Sequence, residues 1–113
     1  AAGTRVAIAT SDDRAPTEAT LAALGLTGLV DDLACADDGL PVKPDPAPVL
    51  ALCARLGIAP AATAVVGDSP ADLAMGRRAG ARLVIGVLSG VGNVADLGGA
   101  ADLLVASVAD LRA

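Results

Sequence analysis

The sequence predicts an α/β fold in which a parallel β-sheet lies between two layers of helices. Three observations support this prediction. Short apolar runs alternate with segments of helical periodicity along the 113 residues. The apolar runs show no alternation with polar residues, which is typical of strands that are buried on both faces of a parallel sheet. Gly and Pro residues separate the segments, where turns are expected.

The predicted elements follow the order strand, helix, strand, helix, strand, helix, strand, loop, strand, helix. The apolar runs place the strands over 6–10, 33–36, 63–66, 83–87 and 103–105. Strands that alternate with helices run parallel, so their carboxyl ends meet at one edge of the sheet, and ligands bind outside that edge. Polar residues that directly follow a strand are therefore the first candidates for a functional site.

Start and stop signals define the helices. Residues 14–16 open the first helix, with Pro16 suited to its first turn, and Gly25 ends that helix. Asp45 and Pro46 begin the second helix, which Gly57 ends. The later segments are a helix over 69–80, a glycine-rich loop over 89–99 and a short helix over 107–112.

The composition excludes several classes of function. The chain contains no His, so Ser-His-Asp catalysis, Cys-His catalysis and His metal sites are excluded. It contains no Phe, Tyr or Trp, so it has no aromatic platform for single-stranded nucleic acid. The net charge of −5 also argues against a nucleic-acid partner.

Membrane and secretion signals are missing from the sequence. No apolar run approaches the roughly 20 residues that a membrane span needs, and the first residues, AAGTR, have no signal-peptide pattern. Cys35 and Cys53 lie far apart between apolar neighbours, so we expect buried, reduced thiols rather than a disulfide. These features predict a cytoplasmic protein with no membrane partner.

The segment 67–72, with the sequence GDSPAD, is the most informative. Asp68 leaves a buried strand where a helix begins, and an oxygen ligand there suits a hard cation such as Mg²⁺. Gly67 would let a substrate or a cation approach the backbone. Asp72 would face the same site or, with Ser69 three residues before it, form a capping box, and the sequence leaves both roles open. An ordinary turn is the alternative for Asp68, but a turn needs no acid there.

Lys43 is the only lysine of the chain and lies in a loop with prolines at 41, 44, 46 and 48. Proline restricts the backbone and stiffens such a loop. A solvated surface lysine is one interpretation. In the other, the stiff loop directs Lys43 at the strand ends, where it would neutralise a phosphate and a carboxylate together.

Thr10 and Ser11 end the first strand and offer hydroxyl and backbone N–H groups to phosphate oxygens. This signal is weak alone, because Ser and Thr occur in many turns. The charged residues 12–14 that follow could touch a substrate or form a solvated turn, and the turn is the favoured interpretation. Since Lys43 and Asp68 also follow strands, we expect these polar groups to converge on one edge of the sheet.

Together these motifs resemble those of the haloacid dehalogenase (HAD) superfamily of phosphohydrolases. The strand ending in Thr10 and Ser11 is similar to the second motif of that family, Lys43 in KPDP to the third, and GDSPAD to the fourth. The resemblance covers essentially the whole chain, and the wording of the motifs is similar to that of the phosphoglycolate-phosphatase-like branch. It implies a Rossmann-like three-layer core and Mg²⁺-dependent hydrolysis of a small phosphorylated metabolite through a phosphoaspartyl intermediate.

The same resemblance implies a role for each candidate residue. Thr10 and Ser11 would hold the phosphoryl oxygens. Lys43, a catalytic and substrate-binding residue, would balance the charge between nucleophile and phosphate. Asp68, also catalytic, would carry Mg²⁺. Asp72 would be the second metal ligand or would support Asp68 or Lys43.

The first motif of the family, Asp-x-Asp-Gly-Thr after an apolar strand, is missing. The acidic pairs at 12–13, 31–32 and 37–38 are adjacent and do not fit it. The nucleophilic aspartate should therefore lie upstream, together with any cap domain, since only seven residues separate Cys35 from Lys43. We expect residues 1–113 to form one partial HAD-like core domain without a cap, and to lack turnover on their own.

The missing motif has a consequence for the sheet. In the family, the strand that carries it lies between the strands that here end at Thr10 and Gly67. We therefore predict a sheet with a gap in the middle and two exposed strand edges. A complementing segment or a homodimer would cover them.

Two other interpretations stay open. Residues 90–95 match the dinucleotide fingerprint GxGxxA after a strand, with Asp110 at the expected distance. The helix after that fingerprint would end too early, so a flexible loop near the site is the better interpretation. A non-catalytic subunit that binds phosphate and Mg²⁺, or keeps only the scaffold, is the alternative favoured by the missing nucleophile.

Overall fold

The computed structural model describes residues 4–87 and 101–105, in which five strands and three α-helices alternate along the chain. The strands are β1 (Ala7–Ala9), β2 (Asp32–Ala34), β3 (Ala64–Gly67), β4 (Leu83–Val87) and β5 (Leu103–Val105). The helices are α1 (Arg14–Ala23), α2 (Ala47–Leu56) and α3 (Pro70–Ala79). The predicted α/β fold is confirmed, and so is each of these elements. The predicted loop over 89–99 with its GxGxxA match, the helix over 107–112 and Asp110 lie outside the described residues.

All strand pairs that the structure describes are parallel, but they form two separate sheets. β1 pairs with β2, with Ile8 opposite Leu33. β3, β4 and β5 form the second sheet in that order, with Val65 opposite Val84. Within the described residues no strand lies between β1 and β3. The gap between β1 and β3 therefore lies at the position that the sequence predicts.

The helices cover two faces of the strands. Successive residues of a strand point to opposite faces, so Ile8 and Ala9 mark the two sides of β1. Ile8 packs in a cluster with Leu21 of α1. Ala9 packs against the cluster that α2 and α3 form on the other side. One layer therefore contains α1 and the other contains α2 and α3.

The α2–α3 layer connects the two sheets across the gap. Its buried core consists of Val49, Cys53, Met75 and Ala79, and both Ala9 of β1 and Val65 of β3 pack against it. Helix α3 lies very close to β3, because a Cβ added at Gly76 would be 2.8 Å from Cβ of Val65. The two sheets are thus held by a shared helical layer rather than by hydrogen bonds between β1 and β3.

Both cysteines are free and buried, as the sequence predicts. Cys53 belongs to the α2–α3 cluster, whereas Cys35 packs with Leu21 and Leu33. Burial raises the pKa of both thiols. Among the described residues, no helix has the length and apolar character that a membrane span requires.

Leu73 anchors α3 to the second sheet, and its loss is expected to be costly. Leu73 and Val84 are both fully buried and pack against each other. Leu73→Ala is expected to lower the free energy of unfolding by about 2–5 kcal/mol, because it leaves a cavity in the core. Urea denaturation measures this change. Leu50→Ala is the matched control, since Leu50 of α2 is 42% exposed. Equal losses for the two variants would contradict this packing.

Asp102 attaches β5 to β4 in a way that depends on pH. Its Oδ2 accepts the N–H of Val84 at 2.8 Å, and the Arg77 guanidinium donates to both carboxylate oxygens. The hydrogen bond from Arg77 and that from Val84 hold the pKa of Asp102 below its ordinary value. A lowered folded-state pKa gives stability that is present above the unfolded-state value of about 3.9 and is lost as the pH falls through the folded-state value.

We therefore expect amide protection in β4 and β5 to fall when the pH is lowered from 6 to 3. Hydrogen exchange followed by NMR, corrected for the intrinsic pH dependence of exchange, measures this protection. Asp102→Asn should show the loosened state already at pH 6 and little further change. The same acid response in both proteins would rule out Asp102 as the titrating group.

Candidate active site

Thr10 and Ser11 follow β1 at its carboxyl end. The N–H of Thr10 continues the strand ladder by donating to the carbonyl of Ala34 at 2.9 Å. Oγ1 of Thr10 accepts the N–H of Asp12 at 3.1 Å. Among the described residues the Thr10 hydroxyl donates to no partner, so its proton is available for donation to a ligand. Ser11 is exposed beside it.

One half of the predicted capping box forms at the start of α3. Ser69 is the N-cap residue, and its Oγ accepts the N–H of Asp72 at 3.2 Å. The Asp72 carboxylate does not return this bond to Ser69. Instead Oδ2 accepts the N–H of Asp68 at 3.3 Å, and Oδ1 accepts a bond from Lys43 Nζ at 2.7 Å. Asp72 therefore contributes its backbone to the cap and its carboxylate to Lys43.

The ion pair between Lys43 and Asp72 is largely shielded from water. The side chains are 18% and 14% exposed, respectively. Burial would raise the pKa of the Asp72 carboxyl, but the hydrogen bond and the positive charge of Lys43 outweigh this effect and hold the pKa below its ordinary value. The pair connects the loop after β2, which belongs to the first sheet, to the start of α3, which follows β3 of the second sheet.

Gly67 is required by the close approach of α3 to the end of β3. A Cβ at this position would lie 2.8 Å from Oδ2 of Asp72 and closer still to its Cβ. Any side chain at Gly67 would therefore push Asp72 away from Lys43. The sequence predicts that Gly67 makes room for a ligand, whereas the neighbour that Gly67 accommodates in the structure is Asp72.

The Asp68 carboxylate is half-buried and has no hydrogen-bond or ion-pair partner among the described residues. It stands at the end of β3, next to the N-terminus of α3. A carboxylate with free lone pairs fits a hard cation, and Mg²⁺ commonly takes only one or two carboxylates and completes its shell with water and phosphate oxygens. In the described part of the chain, no group of three or more acidic or Cys residues forms a complete metal cage.

A cavity of about 50 Å³ lies at the carboxyl ends of β1 and β2. Thr10, Ser11 and Lys43 line it on the polar side. The apolar side includes Leu40 and Val42. The structure thus brings three of the predicted site residues to one cavity. Asp72 is connected to that cavity through Lys43, and Asp68 lies outside its lining.

Sequence reasoning missed the role of Arg14 and Asp38. Arg14 begins α1, where the sequence predicts the first helix to open. The charged residues 12–14 were also interpreted as a solvated turn, but the Arg14 guanidinium pairs with Asp38 at 2.8 Å. The two residues are 24 positions apart, and no local spacing signals such a pair. The local signal is Gly39, which follows Asp38 and adopts a φ of 82°. A glycine at this position indicates that a turn ends beside Asp38.

Comparison with known proteins decides the family. A family model for haloacid dehalogenase-like hydrolases matches residues 1–80. The chain belongs to this family. The match includes the segments that end in Thr10 and Ser11, Lys43, and the GDSPAD motif, so the resemblance stated from these motifs is confirmed.

Relatives in the HAD family support the phosphoglycolate-phosphatase-like branch. A phosphoglycolate phosphatase of Rhodospirillum rubrum is 38% identical over 85 residues, which are 75% of this chain and 35% of that protein. A plasmid-encoded phosphoglycolate phosphatase of Cupriavidus necator is 38% identical over 113 residues, covering 98% of this chain and 48% of that protein.

A solved structure of a similar protein supports the fold. The crystal structure of a predicted phosphoglycolate phosphatase from Haemophilus somnus superposes with a TM-score of 0.87 and 27% identity, over 96% of this chain and 48% of that one. The chain therefore spans half the length or less of these similar proteins.

Proposed function

We propose that this chain supplies the phosphoryl-binding part of a HAD-type phosphate monoester hydrolase. The observation that carries the proposal is the position of Lys43. Its ammonium group lines the same cavity as Thr10 and Ser11 and is held there by Asp72, whose other carboxylate oxygen accepts the N–H of Asp68. A fixed cation beside hydroxyl donors suits a phosphoryl group, because phosphoryl transfer depends mainly on charge stabilisation and positioning.

Each residue has a distinct task in this proposal. Thr10 and Ser11 donate their hydroxyl hydrogens to phosphoryl oxygens. Lys43 offsets negative charge on the phosphoryl group and on the attacking carboxylate. Asp72 orients Lys43 and, through its shielded pair, keeps the ammonium group from turning to solvent. Because Asp72 holds Lys43 in place before the reaction, the ammonium group can stabilise the transition state without moving at the moment of reaction.

Asp68 is proposed to hold Mg²⁺, with Asp72 as the second acid of that motif. When bound, the cation would supply charge stabilisation to the transferring phosphoryl group. The Asp68 carboxylate has no competing partner in the described residues, which supports this assignment. Asp72 already accepts a bond from Lys43, so its contribution to the cation would use its remaining lone pairs.

The covalent step needs an aspartate that these 113 residues do not supply in the Asp-x-Asp-Gly-Thr pattern. In the proposed reaction that carboxylate attacks the phosphorus, the alcohol leaves, and water then hydrolyses the phosphoaspartyl group. Residues 1–113 alone are therefore proposed to bind phosphate and Mg²⁺ weakly and to lack turnover. The proposed substrate is a small phosphorylated metabolite.

A complementing strand is proposed to lie between β1 and β3. Val6 and Val66 beside this gap are 46% and 43% exposed, which leaves apolar surface for a strand to cover. The outer edge of β2 is less open, because Leu33 donates its N–H to Asp32 and its carbonyl accepts bonds from Arg14 and Arg55. Side chains that occupy backbone groups discourage further strand pairing. A second copy of the chain is the competing occupant of the gap.

A cytoplasmic location belongs to the same proposal and rests on the two free, buried thiols. The second candidate function is a non-catalytic subunit that retains phosphate and Mg²⁺ binding. The missing Asp-x-Asp-Gly-Thr pattern favours it.

Turnover assays distinguish these functions. The pure 113-residue chain is compared with the same chain joined to an upstream strand that ends in Asp-x-Asp-Gly-Thr. A panel of phosphate monoesters, including an aryl phosphate, is tested with and without Mg²⁺. We expect hydrolysis only from the joined protein with Mg²⁺. A folded joined protein without activity would support the non-catalytic subunit. Hydrolysis by the pure chain that Asp68→Asn abolishes would overturn the predicted lack of turnover.

A further inference from the structure

Two loops bring the phosphate-binding groups to the cavity. The first, residues 10–13, carries Thr10 and Ser11 and leads from β1 into α1. The second, residues 35–43, leads from β2 to Lys43. The distance between the hydroxyl groups and the ammonium group therefore depends on how these two loops are held relative to each other.

Asp38 contacts both loops at once. Its Oδ2 accepts the N–H of Cys35 at 2.9 Å, which closes the turn at the start of the second loop. The same carboxylate receives the Arg14 guanidinium at the end of the first loop, with Nε at 3.3 Å from Oδ1 and a terminal nitrogen at 2.8 Å from Oδ2. The Asp38 side chain is 16% exposed, so this two-point contact is partly shielded from water.

Two further hydrogen bonds depend on the same alignment. The N–H of Ala36 donates to the carbonyl of Asp12 at 2.8 Å. The N–H of Arg14 donates to Oδ1 of Asp37 at 2.9 Å. Each bond joins one loop to the other. The hydrogen bond and charge of Arg14 hold the pKa of Asp38 below its ordinary value, which agrees with a carboxylate that stays ionised in this contact.

We propose that Asp38 is a positioning residue that sets the spacing between the hydroxyl groups of Thr10 and Ser11 and the ammonium group of Lys43. This inference rests on the proposed phosphate site. Asp38 does not line the cavity and touches no phosphate. It acts through Arg14 and Cys35. Without the Asp38 carboxylate, the two bonds described above, donated by the backbone N–H groups of Ala36 and Arg14, would be left to join the loops.

The chain provides a matched control at the other end of β2. Asp32 pairs with Arg55 at 2.7 Å, and Arg55, like Arg14, donates to the carbonyl of Leu33. Asp32→Asn thus removes a similar ion pair at the start of β2 but leaves both loops intact. Asp38→Asn removes the pair that joins the loops and keeps the size of the side chain.

Titration with inorganic phosphate, followed by NMR, tests the proposal. We expect Asp38→Asn to raise the Kd for phosphate by about tenfold, a change typical of residues that act through others. Arg14→Gln should have the same effect, and the double variant should add little to it. Asp32→Asn should leave the Kd unchanged at a comparable loss of thermal stability. If Asp32→Asn and Asp38→Asn raised the Kd for phosphate equally, Asp38 would stabilise the fold in general and would not position the site.

Hydrogen exchange separates a failure of this proposal from a failure of the phosphate site. In the unliganded chain, Asp38→Asn should accelerate exchange of the Ala36 amide relative to the core amide of Val84, and Asp32→Asn should not. If the wild-type chain bound no phosphate, the proposed function would fail while the exchange comparison still decided whether Asp38 joins the loops. Unchanged protection of Ala36 in Asp38→Asn would overturn the positioning role.

Discussion

Asp68→Asn is expected to lower kcat by at least about a thousandfold in the protein completed with an upstream Asp-x-Asp-Gly-Thr strand. The substitution keeps the shape of the side chain and removes the negative charge that is proposed to hold Mg²⁺. A cation that stabilises a transferring phosphoryl group contributes several kcal/mol, and each 1.4 kcal/mol corresponds to a factor of ten. Steady-state hydrolysis of an aryl phosphate over a range of Mg²⁺ concentrations measures the loss.

Glu18→Gln is the control for this substitution. Glu18 is an exposed acid on α1, so its change removes one negative charge from the chain without touching the site. We expect its kcat and its Mg²⁺ dependence to match those of the unmodified protein. An Asp68→Asn protein that kept full activity at ordinary Mg²⁺ concentrations would show that the cation is held elsewhere.

Lys43→Met is expected to lower kcat by about 10²–10³-fold in the same completed protein. Lys43 is the charged group that faces both the hydroxyl groups of the cavity and Asp72. Met keeps the length of the side chain and much of its apolar stem, so the packing of the loop should change little. Lys43→Arg should restore only part of the rate, because a planar guanidinium does not replace a compact ammonium group in a narrow site.

The control for Lys43→Met is Arg82→Gln. Arg82 is exposed, and its backbone N–H rather than its side chain makes the contact to Thr63 that the structure describes. Arg82→Gln removes the same charge and should leave kcat unchanged. Equal losses in the two variants would mean that net charge, rather than the position of Lys43, controls the rate.

The fold could be predicted because its signals are local. The unbroken apolar runs mark parallel strands, and residues such as Pro70 and Gly80 mark the ends of α3 within one turn of the observed bounds. The gap between β1 and β3 could also be predicted, because a missing motif removes a whole strand from a known order. The three short 3₁₀ turns within residues 4–87 and 101–105 were not predicted, since turns of three residues carry little periodicity.

The site could be predicted only in part, because its decisive contacts join distant positions. The spacing of Ser69 and Asp72 indicates a helix cap, and the backbone half of that cap forms. The direction of the Asp72 carboxylate depends on Lys43, which is 29 positions away. The same limit applies to Arg14 and Asp38. Their pairing follows from the packing of β1 beside β2, which no single segment encodes.

The most direct test of the central claim is a residue-resolved NMR titration of the 113-residue chain with inorganic phosphate and Mg²⁺. We expect phosphate to perturb the amides of Thr10, Ser11 and Lys43, and Mg²⁺ to perturb those around Asp68. Asp68→Asn should lose the Mg²⁺ response and retain the phosphate response. Saturable phosphate shifts that map away from Thr10, Ser11 and Lys43, or the absence of any response to phosphate in the folded chain, would rule out the proposed phosphate site.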